Sequence, residues 1–175
     1  ERDGTYFVTD RLMLKREVDW ATNNFIAGAW ATSSTGATAD FVQWSNYGAS
    51  DPTVDVLKYR NQVRGSIARL PNKGVMGFSV FVQLQNHPVL VDRIKYSQKG
   101  VMTEQLIAEL LGLDELLIGS AIQNTAAEGA TASFSDVWGR SVLLAYVNPS
   151  PSLMSPSAGY TFVWQAVPGA AQFIR

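Results

Sequence analysis

The stretch from Leu70 to Tyr96, LPNKGVMGFSVFVQLQNHPVLVDRIKY, constrains this chain more than any other. Pro71-Asn72-Lys73-Gly74 is a turn signal. Gly74 tolerates positive φ, while Pro71 fixes its own φ and restricts the residue before it. Val75 to Phe78 reads as a short buried strand. From Ser79 the spacing predicts a helix, with Ser79 as N-cap and Phe81, Leu84 and Gln85 along one side. Asn86-His87-Pro88 stops it, because Pro88 disfavours helical geometry at His87. The residues alone give a helix, a turn, a strand and a second helix, a block of an α/β domain that names no chemistry.

At 175 residues the chain is one domain, or one domain with an appendage. A compact chain of this size buries about 70% of its unfolded surface, so its core needs no covalent staples. Hydrophobic content of 46% argues against disorder. A net charge of -1, from 14 basic and 15 acidic residues, gives no basic footprint for nucleic acid. The absence of cysteine excludes disulfides, thiolate metal sites and cysteine nucleophiles. Glu1-Arg2-Asp3-Gly4 is charged and opens no signal peptide. From Ser141 to Ile174 there is no charged residue, yet Pro149, Pro151, Pro156 and Pro168 interrupt the run too often for a membrane span of about 20 apolar residues. It reads as strand and loop covered by the fold or by neighbouring chains, since a large uncharged surface often marks a partner interface.

In chain order, Tyr6 to Val8 reads as a short strand, and Thr9 or Asp10 as the cap of a helix from about Arg11 to Ile26. Leu14, Val18, Ala21, Phe25 and Ala29 give that helix its apolar stripe. Ala31 to Asp40 reads as loop, Phe41 to Trp44 as a short edge strand and Asn46 to Ser50 as loop again. Asp51-Pro52 starts a second helix, whose stripe is Val56, Tyr59, Val63, Ile67 and Leu70. Pro88 to Lys95 adds a helical turn. Thr103 caps a helix carrying Leu106, Ile107, Leu110 and Leu111, and Gly112 stands where its C-terminal cap belongs. Leu113 to Ile118 reads as a buried strand and Ala121 to Ala132 as loop. Val142 to Val147 and Tyr160 to Val167 read as late strands joined by a Pro/Ser-rich crossing.

Candidate chemistry is sparse. His87 is the single histidine and so the ready general base near neutral pH. A nucleophilic trio of Ser79, His87 and Asp92 is conceivable, but the G-x-S-x-G elbow is absent because Val80 and Phe81 follow Ser79. A histidine between a helix end and a proline is more often a cap or packing residue. For metals only carboxylates remain: Asp114 and Glu115, adjacent on a predicted strand, point to opposite faces, and Asp51 and Asp55 suit a helix start. Gly74, Gly77 and Gly119 match neither phosphate-loop pattern, which leaves turn and close-packing roles. Asp92, Arg93 and Lys95 form a small charged cluster on a surface turn. The tryptophans at 20, 30, 44, 138 and 164 are too scattered for a stacking platform, so core or interface burial is expected of each.

The wording from Pro71 to Tyr96, with Pro71-Asn72, Val75-Met76-Gly77, Val80, Leu84, His87-Pro88 and Asp92-Arg93-Ile94-Lys95-Tyr96, resembles the central signature of tailed-bacteriophage major capsid (coat) proteins. The resemblance continues, in order and at the family's spacing, through Thr103 to Leu106, Leu110 to Gly119, Asn124 to Gly129, Asp136 to Gly139 and Pro156 to Phe162. It covers roughly Arg11 to Trp164, and it implies an α+β coat fold of the Hong-Kong-ninety-seven type. Residues 1–44 would then be part of a peripheral domain with its spine helix. Residues 45–156 would be an axial domain with a helix-flanked central sheet, and 157–175 a return into the peripheral domain. Such chains have an N-terminal arm, an extended loop and further C-terminal strands, so by resemblance this one is expected to be a fragment, as a monomer or small oligomer. The implied function is structural: a coat subunit of a phage or prophage, assembled in the bacterial host cytoplasm into an icosahedral virion shell around the genome. Its partners would be copies of itself in hexamers and pentamers, without membrane or a specific nucleic-acid motif, and the charged cluster would pair across subunits. No enzymatic activity, no cofactor and no catalytic, cofactor-binding or metal-binding residue is expected. The alternatives are a small α/β ligand-binding or hydrolase domain with a cleft at the strand ends, and an encapsulin-type compartment shell protein.

Overall fold

A computed structural model describes residues 2–26, 28–30, 32–36, 40–95, 102–150, 152 and 154–160. Its centre is a three-stranded sheet in the order β2-β1-β5. Strand β1 (Lys73–Gly77) pairs in parallel with β2 (Glu115–Gly119) and antiparallel with β5 (Val142–Ala145), so Val75 lies between Leu117 and Leu143. Side chains alternate across a sheet. Gly74, Met76, Leu116, Ile118, Val142 and Leu144 therefore share one face, and all but Gly74 enter or pack on the hydrophobic core. Chain reversal between parallel strands requires a long crossover. Here it carries helices α3 (Phe78–Gln85), α4 (Pro88–Ile94) and α5 (Glu104–Leu111). Helix α2 (Pro52–Ile67) precedes the sheet.

Each of these helices buries residues on the spacing expected of an amphipathic element. Val56 comes from α2, Phe81 and Leu84 from α3, Leu90 and Ile94 from α4, and Leu106, Ile107, Ala108 and Leu111 from α5. Their ends are set locally. The Asp51 carboxylate accepts the N–H groups of Thr53 and Val54 at the start of α2. The Thr103 hydroxyl caps α5, and Gly112 closes it at φ +68. The mixture of helices with parallel and antiparallel strand pairs is α+β.

Asn72 ties the sheet together from the turn. Its backbone N–H donates to Ala145 and its carbonyl accepts from Asp114 and Glu115. Its side chain then both donates to the Val147 carbonyl, at 3.0 Å, and accepts the Val147 N–H, at 2.8 Å. The side-chain amide thus continues the β1–β5 ladder where the Asn72 backbone has already been used.

Two further elements stand apart from this core. Helix α1 (Arg2–Asn24) carries three members of the predicted stripe, with Ala21 buried and Leu14 and Val18 half-buried; Phe25 follows the helix, half-buried, and Ala29 lies beyond its end and exposed. A short ribbon pairs β3 (Ile122–Asn124) with β4 (Phe134–Asp136). The contact with the sheet runs through Trp138, whose ring lies 5.3 Å from Trp20 and 5.4 Å from Phe25, and whose indole N–H donates to Glu17. A Cβ at Gly119 would overlap that indole, and one at Gly77 would overlap the Gly139 carbonyl. These two glycines are required by close approach.

Several local expectations change. Tyr6 to Val8 lies inside α1: the helical register extends back from the stripe and overrides the β propensity of this triplet. Phe41 to Trp44 is irregular, the Phe41 ring packing between Trp44 and Tyr59 and the Trp44 indole donating to Asp55 at 2.9 Å. The helix expected from Ser79 begins at Phe78, with Gly77 in the cap position. Part of the expected 121–132 loop is β3. Leu70 lies outside α2, which ends where Ala68 turns left-handed at φ 54. The strand predicted over Tyr160 to Val167 has only Tyr160 among the described residues, and Trp164 lies outside them.

Candidate functional site

His87 is the strongest chemical candidate, and it is 0% exposed. It caps α4, its Nδ1 accepting the Val89 N–H at 3.3 Å. That nitrogen carries no proton, so the tautomer assigned by the network has the proton on Nε2. Nε2–H donates to Ser50 Oγ at 3.0 Å, and the Ser50 hydroxyl in turn donates to the Asn46 carbonyl at 2.7 Å. The Tyr47 ring meets the imidazole edge-on at 5.4 Å, and its hydroxyl donates to Gln83 at 2.7 Å. Burial pushes the His87 pKa below the ordinary histidine value, against an opposing pull from the Asp51 carboxylate. The ring is therefore neutral at neutral pH, and both nitrogens are occupied by structural partners.

The other members of the conceivable trio are elsewhere. Ser79 donates its hydroxyl to the Gly139 carbonyl at 3.1 Å, a bond that helps fasten α3 to the loop beyond β4. Asp92 is exposed on α4, as are Arg93 and, just beyond the helix, Lys95. Nucleophile, base and orienting acid are not brought together.

The carboxylates have structural uses as well. The Thr53 hydroxyl is the main influence holding the Asp51 carboxyl below the usual carboxylate range; Asp55 accepts from Trp44, and Glu115 pairs with Lys73 across β1 and β2. Asp114 precedes β2, with its backbone N–H on Asn72. Among the described residues no three His, Asp or Glu side chains converge as a metal site, and no helix is long and apolar enough to cross a membrane. Gly74 packs on Leu113 and Leu116, so all three candidate glycines serve packing.

What the molecule does present is apolar surface. On the sheet face turned away from the core, Val75, Leu117 and Leu143 form a row in register across all three strands, with Leu117 48% exposed. The early turns of α1 expose Tyr6, Phe7, Val8, Leu12 and Met13. A groove of about 590 Å³ runs between α1 and the ribbon, lined by Arg11, Leu14, Lys15, Val18, Ile122 and Phe134 among others. Patches of this kind mark protein interfaces more often than catalytic clefts. Sequence reasoning missed Ser50, Tyr47 and Asn72. Ser50 lies 37 residues from His87, and the available signal was the requirement that a buried histidine find partners for both nitrogens.

No family model matches the chain. Individual proteins do. The chain is 32% identical over 170 residues to the major capsid protein of Burkholderia phage BcepMu, covering 92% of this chain and 52% of that protein. To the major capsid protein of Pseudomonas phage JBD67 it is 26% identical over 133 residues, covering 75% and 41% respectively. Among solved structures it is similar to a phage-related protein of Bordetella bronchiseptica RB50, with a TM-score of 0.61 and 33% identity over 75% of this chain and 46% of the other. The chain spans about half the length of the curated relatives it matches.

Proposed function

We propose that this chain, a homologue of phage major capsid proteins over nearly its whole length, works as a structural coat subunit that associates with copies of itself and turns over no substrate. The observation that carries this reading is the 32% identity to a capsid protein along 92% of the chain. Two physical features support it. The titratable groups that catalysis would need are committed to caps and packing, His87 above all. Meanwhile apolar side chains on α1 and on the outer sheet face stand open, as self-association requires.

The arrangement we propose is a coat fold of the Hong-Kong-ninety-seven type. Residues 45–156 act as an axial domain around the β2-β1-β5 sheet, 1–44 contribute the spine helix of a peripheral domain, and 157–175 return to it. The absence of any α1 side chain from the hydrophobic core cluster supports that division. The shell is an icosahedral virion capsid of hexamers and pentamers enclosing the genome, assembled in the cytoplasm of the bacterial host. The test is negative-stain microscopy of the full-length parent protein. Closed shells are expected, and a strictly monomeric parent at high concentration overturns the reading.

A further inference from the structure

We propose that His87, Ser50 and Val89 form a proton-operated latch fastening the 46–50 segment to the start of α4, closed when the imidazole is neutral and open when it is doubly protonated. The geometry admits one protonation state. Nδ1 faces the Val89 N–H as an acceptor, and Nε2 reaches the Ser50 hydroxyl as a donor. A second proton has only Nδ1 to occupy, where it meets the Val89 N–H donor against donor. That cancels the N-cap of α4 and leaves a charged ring with no exposed surface.

Relief comes by moving the lighter side. Helix α4 is anchored by Leu90 and Ile94, both in the hydrophobic core. The 46–50 segment is held by the Ser50 contact, by Tyr47 against the ring and Gln83, and by turn bonds from Ala49 and Ser50 to Asn46. Opening therefore releases that segment and frays the first turn of α4 while the sheet stays intact. The titratable and charged groups that bear on the ring are Tyr47 and Asp51 from the segment before α2, with Arg93 of α4 acting in turn on Asp51. From α3 the uncharged Gln83 reaches Tyr47 rather than the ring, accepting the Tyr47 hydroxyl. The Asp51 carboxylate favours the protonated ring, and burial outweighs it.

The sign of the pH dependence follows. A histidine whose folded pKa lies below its ordinary value of about 6.5 leaves the closed state at full strength above that pH. Closure weakens as pH falls toward the folded value. The chain has one histidine, so its imidazole resonances are unambiguous. Native-state hydrogen exchange followed by NMR tests the latch. The protection factor of the Val89 amide is expected to drop about tenfold per pH unit below about 6.5, levelling off where the imidazole itself titrates. Met76 and Ile118 in the sheet should keep their protection over the same range. His87→Asn supplies a capping acceptor that does not titrate, and should make Val89 protection independent of pH. Constant Val89 protection in the unaltered chain overturns the latch, as does the same pH dependence in His87→Asn or loss of the sheet in parallel. If His87→Asn fails to fold, the unaltered chain still decides: levelling off at a pH other than the imidazole midpoint overturns it.

Discussion

The sheet with α2 to α5 and the pair formed by α1 and the β3–β4 ribbon both carry large apolar side chains and treat them in opposite ways. In the first region Met76, Leu84, Leu90 and Ile107 have no exposed surface at all. In the second, Tyr6 is 68% and Phe134 69% exposed, and the join to the sheet depends on the cluster of Trp20, Phe25 and Trp138. The sheet closes because strands distant in sequence bring four helices against one face. A lone helix beside a two-stranded ribbon has too few surfaces to do the same, since such a ribbon is marginal without further packing.

The sharpest way to break this contrast is a truncation in the core. Leu84→Ala removes a wholly buried side chain and is expected to cost about 2–5 kcal/mol by denaturant unfolding, in one cooperative step. A loss under 1 kcal/mol would mean that the two regions are equally loose. An intermediate effect is expected at the join. Trp138→Ala, acting on a half-buried ring, should cost about 1–3 kcal/mol, and most of it should fall on α1. Amides near Ala21 would lose exchange protection while those of β1 kept theirs. Equal loss in both would show a single cooperative unit. The smallest effect belongs on the outer surface of α1, where Lys15 and Asp19 form an exposed i,i+4 pair at 3.3 Å. Asp19→Ala should change stability by no more than about 0.5 kcal/mol, and raised salt should erase the difference.

Legibility from sequence followed how near in the chain each residue's partner lies. Helix starts and stops set by neighbouring residues were readable: Asp51-Pro52, Thr103 and Gly112 all act where their local chemistry puts them. Strands β1, β2 and β5 were readable as short apolar runs, but their order was not, because no residue in Val142 to Ala145 declares that it will pair with Lys73 to Met76. Two of the errors fell where a distant partner decides. Phe41 to Trp44 has strand composition yet is claimed by Tyr59 and Asp55. Ser79 has cap chemistry, but its hydroxyl is taken by Gly139, 60 residues away. At the candidate site, the expectation that His87 caps and packs was legible from the following proline. Its bond to Ser50 was not, since nothing local points to a residue 37 positions earlier.

The doubly bonded Asn72 amide has a consequence for how β5 can seat. Strand sliding is ordinarily cheap to imagine, because backbone donors and acceptors repeat every two residues and a shifted pairing satisfies them again. A side-chain amide does not repeat. Moved by two positions, β5 would carry Val147 away from the one carboxamide able to serve both its N–H and its carbonyl. Asn72 is thus an end stop that admits a single alignment, and it keeps Val142 and Leu144 over the helices.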